Sequence, residues 1–203
     1  MSMSKKIIIP ILVVLFLTII AGGVFWWQEK EIKGSPEDYV IKETEEGTIV
    51  ENKKAGLTFK IPEGWIEKNI EIEGGPIGFY SPDTEGYHLT RISPPLKKGC
   101  LIEVATAYDL KFKKLDELRK ELEKEHESLI TKSDEFEIIE IDGMPALKNK
   151  FDSVDLGPSI GVYVINKDSN KLYGIAVSSE AQNTERCFQE FDKFLETVSI
   201  QPH

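Results

Sequence analysis

The strongest constraint in this sequence is an uncharged, apolar run near its N-terminus, from Ile7 to Trp27. As a helix, these 21 residues would rise about 31 Å, which matches the hydrocarbon core of a bilayer. Pro10 falls in the first turn, where a missing N–H is tolerated, and Trp26 falls at the far end, where indoles favour the lipid–water interface. The run has no polar face, which excludes an ordinary helix at the surface of a core. It therefore predicts a transmembrane helix.

A cleaved signal peptide is the alternative interpretation, because Lys5 and Lys6 resemble the basic start of such a peptide. The apolar run is longer than a usual signal core, and no A-x-A cleavage site follows it. A short basic tail before a first hydrophobic segment usually stays in the cytoplasm, so we expect the rest of the chain outside the cell. The predicted organisation is a cytoplasmic tail (1–6), a transmembrane anchor (7–27), a linker (28–47) and an extracytoplasmic domain (48–203).

The charge of the chain narrows the classes of partner. The net charge is −10, and Lys5 and Lys6 are the only charged residues before Glu29, so the part after the anchor carries −12. A field of this sign repels phosphate backbones, which makes nucleic acid an unsuitable partner. The acidic surface serves either solubility alone or the binding of a cation or a basic partner.

Hydrophobic periodicity predicts an α+β domain. Alternation of apolar and polar residues indicates strands, and an Asp-Gly turn indicates a tight hairpin. The predicted hairpin of strands 160–166 and 172–177 is apolar on both faces, so we expect its sheet to be covered on both sides. Two amphipathic patterns predict helices. The predicted strands are 48–50, 57–61, 77–80, 100–108, 136–141, 144–151, 160–166, 172–177 and 198–200, and the predicted helices are 113–130 and 184–196.

One segment carries a family resemblance. The sequence from Gly56 to Trp65, GLTFKIPEGW, resembles the opening strand and turn of PsbP-like domains (the PsbP, Mog-one and DcrB type), and the hairpin sequence IDGMPA at 141–146 follows in the matching order. The resemblance covers about residues 48–201 and implies an antiparallel sheet sandwiched between helices, as in exported bacterial members. It also implies a role in binding or assembling other proteins rather than an enzymatic one, and it carries over no functional residue.

Two cysteines are candidates for a disulfide. Cys100 shares a strand face with Ile102 and Val104, and Cys187 shares a helix face with Phe191, so both side chains point to the core. An exported chain can keep such a bridge, while two buried free thiols are the alternative.

Four aromatic residues in the first third of the domain are candidates for a partner surface: Trp65, Phe79, Tyr80 and Tyr87. Exposed aromatic side chains favour interfaces, although packing in the core is the usual role of such residues.

The sequence offers no recognisable catalytic or cofactor site. The three histidines lack metal-ligand spacing, no G-x-S-x-G motif is present, and Gly74-Gly75 precedes Pro76 rather than a helix. We therefore expect a non-catalytic protein-binding or assembly module that uses no metal or cofactor. The alternatives are an extracytoplasmic binder of a small ligand or ion, and an enzyme whose site is assembled from separated residues.

Overall fold

A computed structural model of the chain describes residues 32–45, 47–68, 75–86, 96–108, 110, 113–133, 136–153 and 157–201. The predicted tail and anchor lie outside these residues. None of the helices in the described ranges is long and apolar enough to cross a membrane.

The secondary structure of the described residues is mostly β. Its strands are β1 (Ile32–Lys33), β2 (Val40–Thr44), β3 (Gly47–Asn52), β4 (Leu57–Lys60), β5 (Ile66–Glu67), β6 (Ile77–Tyr80), β7 (Cys100–Tyr108), β8 (Ile130–Ser133), β9 (Glu137–Ile141), β10 (Met144–Ser153), β11 (Gly157–Asn166), β12 (Lys171–Ser179) and β13 (Ser199–Ile200). A 3-10 turn covers Pro36–Asp38, and the helices are α1 (Leu115–Leu129) and α2 (Thr184–Leu195).

The strands form two mostly antiparallel sheets, and β1 pairs with β7 of the larger one. In the larger sheet the order is β5-β6-β7-β12-β11-β10-β8, and β9 also pairs with β10. In the smaller sheet the order is β13-β4-β3-β2, so that the last strand of the chain pairs with β4 and β2 lies at the edge.

Both faces of the larger sheet are covered. One face contributes Ile102 and Ile175 to the main core, which also contains Phe59 of β4 and Phe191 of α2. The opposite face carries a smaller cluster in which Leu118 of α1 is buried with other apolar side chains. Helix α1 therefore covers one face, while α2 and the smaller sheet together cover the other. The predicted α+β class with an antiparallel sheet is confirmed, and the smaller sheet is an addition that periodicity did not reveal.

The structure corrects the predicted linker. Residues 28–47 were expected to lack regular structure, yet they include the 3-10 turn and β2, which pairs with β3 in register. Ser35 caps the turn: its hydroxyl accepts from the Glu37 amide, while Asp38 accepts from the Ser35 amide at 3.0 Å. Regular structure therefore begins before residue 48.

Candidate binding groove at the Trp65 turn

The turn after β4 presents a tryptophan at the surface. The chain reverses through Pro62, Glu63 and Gly64, and the Trp65 amide donates to the Pro62 carbonyl at 3.2 Å. Gly64 has a φ of +77°, a left-handed conformation that glycine adopts without strain. Trp65 packs against the main core but keeps part of its indole exposed. The Gly-Trp pair of the sequence motif thus serves to place a half-buried aromatic side chain beside the surface.

Trp65 lines an open groove with a volume of about 760 Å³. One wall is the β2–β3 hairpin, the second is the turn from Lys60 to Trp65, and the third is the C-terminal end of α2. The floor is apolar, since Ile61 and Phe194 are both buried residues of the main core that also line the groove. The groove therefore combines a hydrophobic floor with a polar rim, which is the usual composition of a binding site.

The rim of the groove is acidic on balance. Its charged side chains are Glu43, Glu45, Lys60, Glu63, Glu190 and Lys193. Lys193 pairs with Glu190 at 3.3 Å, so these two charges largely cancel. Glu43 accepts a hydrogen bond from the Thr48 hydroxyl at 3.0 Å. Among the lining residues that the structure describes, the remaining rim carries three carboxylates against the ammonium of Lys60, which favours a cationic or basic occupant.

A hydrogen-bonded bracket holds the wall formed by α2. Thr197 follows the helix, and its Oγ1 donates to the Phe194 carbonyl at 2.8 Å and accepts from the Lys60 amide at 3.0 Å. Pairing of β13 with β4 continues this connection. The groove is therefore assembled from residues more than a hundred positions apart, which explains why the sequence did not single out Lys60, Lys193 or Phe194.

Of the three aromatic candidates that the structure describes, Trp65 alone lies in the groove. Phe79 and Tyr80 are fully buried, with 0% of each side chain exposed, so neither belongs to a partner surface. The reason is their position on β6, which pairs with both β5 and β7: Phe79 faces the main core, and Tyr80 faces a cluster on the opposite side of the sheet. Tyr87 lies outside the described residues.

The structure joins Cys100 and Cys187 in a disulfide, with the two Cα atoms 5.5 Å apart. The bridge connects the first residue of β7 with α2. Both cysteines are buried, as their positions on the apolar faces of the predicted strand and helix indicated. Next to it, the guanidinium of Arg186 contacts both carboxylate oxygens of Asp83, at 3.0 and 3.1 Å. These hydrogen bonds from Arg186 hold the pKa of Asp83 below its usual value. The first turn of α2 is thereby attached to β7 by the disulfide and to the turn after β6 by the ion pair.

A carboxylate on the larger sheet has an unusual environment. Glu103 lies on β7 between Gly78 of β6 and Ala176 of β12, and it points away from the face that carries Ile102 and Val104. None of the described residues forms an ion pair or hydrogen bond with it. Desolvation by the surrounding protein raises its pKa to about 7, although the side chain keeps part of its exposure. Glu103 is therefore a carboxyl group whose pKa lies near neutrality because of burial.

The described residues include no group of three or more His, Cys, Asp or Glu side chains that could hold a metal ion. In the turn between β11 and β12, the Asn166 side chain accepts from the Asp168 amide at 3.1 Å and from the Ser169 amide at 3.2 Å, which is ordinary turn chemistry.

Comparisons with known proteins identify the fold. No protein-family model matches the chain, and no curated protein matches it. The solution structure of cyanobacterial PsbP (CyanoP) from Synechocystis sp. PCC 6803 superimposes with a TM-score of 0.50 at 14% identity, over 75% of this chain and 91% of that one. A Pseudomonas aeruginosa protein of unknown function, PA94, gives a TM-score of 0.47 at 12% identity, over 84% of this chain and 100% of that one. The domain therefore has the fold of cyanobacterial PsbP, which confirms the PsbP-like resemblance of the sequence at the level of the fold.

Proposed function

We propose that this chain is a membrane-anchored, extracytoplasmic protein-binding or assembly module that docks its partner in the Trp65 groove and catalyses no reaction. The observation that carries the proposal is the half-exposed indole of Trp65 above an apolar floor of Ile61 and Phe194. Aromatic side chains of this kind dominate the energetics of protein interfaces, because they bury a large area at little cost in conformational entropy.

The anchor in the proposal rests on the sequence from Ile7 to Trp27. A chain tethered beside a bilayer meets its partners at high effective concentration, so a groove of modest affinity suffices for a membrane-associated function. Protease added to intact cells tests the placement. We expect digestion of the domain while a cytoplasmic marker stays whole, and protection of the domain until the cells are lysed would refute the extracytoplasmic location.

Photocrosslinking in native membranes tests the groove. A chain in which benzoylphenylalanine replaces Trp65 should give a discrete protein adduct on irradiation. The matched control places the same photoreactive residue at Lys120, which is exposed on α1 and does not line the groove. An adduct at position 65 that is absent at position 120 supports the proposal. The absence of any adduct at 65, or the same adducts at both positions, would refute docking in the groove.

A small ligand is the second candidate occupant, because the volume of about 760 Å³ falls within the usual range for ligand pockets. Native mass spectrometry of protein extracted from membranes distinguishes the two. A stoichiometric bound compound, lost in the Trp65→Ala variant, would favour ligand binding over protein docking.

A further inference from the structure

Strand β2 forms the outer edge of the smaller sheet. It pairs with β3 from Val40 opposite Glu51 to Thr44 opposite Gly47, and no other described strand pairs with it. Such an edge offers main-chain groups to an added strand, and proteins use this for recognition of extended segments. Because Glu43 and Thr44 of β2 also line the groove, the edge and the groove are continuous.

The hydrogen-bond pattern shows which main-chain groups of β2 point outward. The carbonyl of Thr48 on β3 accepts from the Ile61 amide at 3.0 Å, so Thr48 directs its main chain toward the β4 side and away from β2. In an antiparallel pair the bonded and non-bonded residues alternate. Glu43, which lies opposite Thr48, therefore belongs to a non-bonded pair, and so does Ile41, two residues before it. The amide and carbonyl of both residues point to the open side of β2.

The side chains at this edge specify the segment that would fit. Ile41 is partly buried and packs against the main core, while Glu43 lies two residues on, at the rim of the groove. Val40, on the other face, leaves 48% of its side chain exposed. An apolar side chain opposite Ile41 would extend the core, and a basic one opposite Glu43 would form a cross-strand pair.

We propose that β2 is a strand-addition site for an extended segment of a partner protein that carries a basic and an apolar side chain two residues apart. This inference rests on the proposed protein-binding function and names the kind of partner. Charge complementarity favours the basic side chain, since Glu43, Glu45 and Glu63 outnumber Lys60 at the rim and the chain after the anchor carries −12.

A second copy of this chain fits the edge poorly. In an antiparallel pair of two β2 strands that uses the outward main-chain groups of both residues, Ile41 of one copy would lie opposite Glu43 of the other. The two Lys42 residues would then lie directly opposite each other. Like charges in that position are destabilising. This repulsion disfavours a second copy and leaves a heterologous segment as the occupant.

Selection of short random peptides on the full-length protein in nanodiscs tests the site. We expect the selected peptides to share a Lys or Arg two positions from Val, Ile or Leu. The main-chain amides of the selected peptide can be methylated at either of the two alternating sets of residues. Methylation of one set should weaken binding about tenfold or more and methylation of the other set should have little effect, since only one set of amides can face β2. Equal effects of the two methylation patterns would overturn strand addition.

Two substitutions at one position separate charge from main-chain bonding. Glu43→Gln keeps the acceptor for Thr48 and should weaken the selected basic peptides about two- to fivefold. Glu43→Pro removes an outward-facing amide, which an edge strand tolerates, and should weaken them about tenfold or more. Glu140→Gln, at an exposed position on β9, is the matched control and should change nothing.

The peptide experiment and the crosslinking experiment fail independently. The β2 site would be refuted if the peptides bound the Glu43→Pro variant as tightly as the unsubstituted protein and if neither methylation pattern weakened binding. Crosslinking at position 65 in the same protein would then still support docking in the groove. Enriched peptides that lack a basic side chain, and an unchanged affinity in Glu43→Gln, would refute the proposed chemistry of the partner. If Glu43→Pro alters the circular dichroism spectrum, the methylated peptides give the decisive result. A dimer that depends on β2 would identify a second copy as the occupant and overturn the proposal.

Discussion

Replacement of Glu103 by glutamine should stabilise the domain, and the gain should grow with pH. The carboxylate of Glu103 lies between Gly78 and Ala176 on the sheet, and burial raises its pKa from 4.5 to about 7. Glutamine has nearly the same shape as the protonated acid but has no charge to desolvate. The variant therefore removes the electrostatic cost of this position with little change in packing.

The magnitude follows from the difference in pKa between the two states. Below about pH 4.5 the folded and unfolded chains both hold the proton, so Glu103 makes no pH-dependent contribution to stability. Between 4.5 and about 7 the unfolded chain releases the proton while the folded chain keeps it, so stability falls as pH rises. Above that window the full difference applies, which corresponds to about 3 kcal/mol. Because the side chain keeps part of its exposure, we expect about 2–3 kcal/mol.

Urea denaturation from about pH 4.5 to about pH 8 measures this effect, with circular dichroism as the readout. The Glu103→Gln variant and the unsubstituted chain should unfold at similar urea concentrations at the acidic end and diverge as pH rises. Glu140→Gln removes the same charge at an exposed position on β9 and serves as the control for net charge. A difference between variant and unsubstituted chain that stays constant across the pH range would refute the reasoning, as would a destabilisation at high pH.

Three further predictions concern the attachment of α2 and the turn beside it. Reduction of the disulfide, which spans 87 residues, should lower the free energy of unfolding by about 4–5 kcal/mol in urea titrations, because the unfolded chain regains the entropy of a large loop. Alkylation of both thiols in unreduced, native protein would contradict the presence of the disulfide. Asp83→Asn should cost about 1 kcal/mol near neutral pH through loss of its contacts with Arg186. Since the folded pKa of Asp83 is lowered, this contribution should disappear as pH falls through that pKa, and a cost that is unchanged in acid would argue against the ion pair. Gly99→Ala should destabilise the chain by about 1–3 kcal/mol in thermal unfolding, because Gly99 has a φ of +94° and a Cβ there would lie 2.7 Å from the Thr84 Cα; a stability equal to that of the unsubstituted chain would refute this close approach.

Periodicity predicted the elements with strong patterns of burial. Strand β7 covers the predicted residues 100–108, and α1 and α2 differ from the predicted helices by no more than two residues at either end. The hairpin of 160–166 and 172–177 was expected to be covered on both faces, and its strands β11 and β12 lie in the middle of the larger sheet. Strand β11 has buried side chains on both faces, whereas β12 is buried on one face and mostly half-buried on the other. Buried elements of this kind are rich in apolar residues, so their composition predicts them from the sequence.

The edge strand β2, and the direction of the side chains on the short strand β6, could not be predicted in the same way, for physical reasons. Strand β2 is charged and mostly exposed, and its order comes from pairing with β3 rather than from burial of a periodic face. In β6, only four residues long, every position is buried, so no alternation distinguishes the two faces. The sequence therefore left an exposed cluster open for Phe79 and Tyr80 beside the more usual packing in the core, and the neighbouring strands decide between the two.

The candidate groove depends on contacts that no local pattern encodes. Its walls meet because Thr197 joins the end of α2 to Lys60, and because β13 pairs with β4. These bonds are internal to the domain and do not require an occupant, so the floor under Trp65 is formed in advance. A partner segment that binds there loses its own conformational freedom but does not have to order the groove. For this reason an extended segment would gain most binding free energy at the open edge of β2, where main-chain hydrogen bonds add to its contacts with the preformed floor.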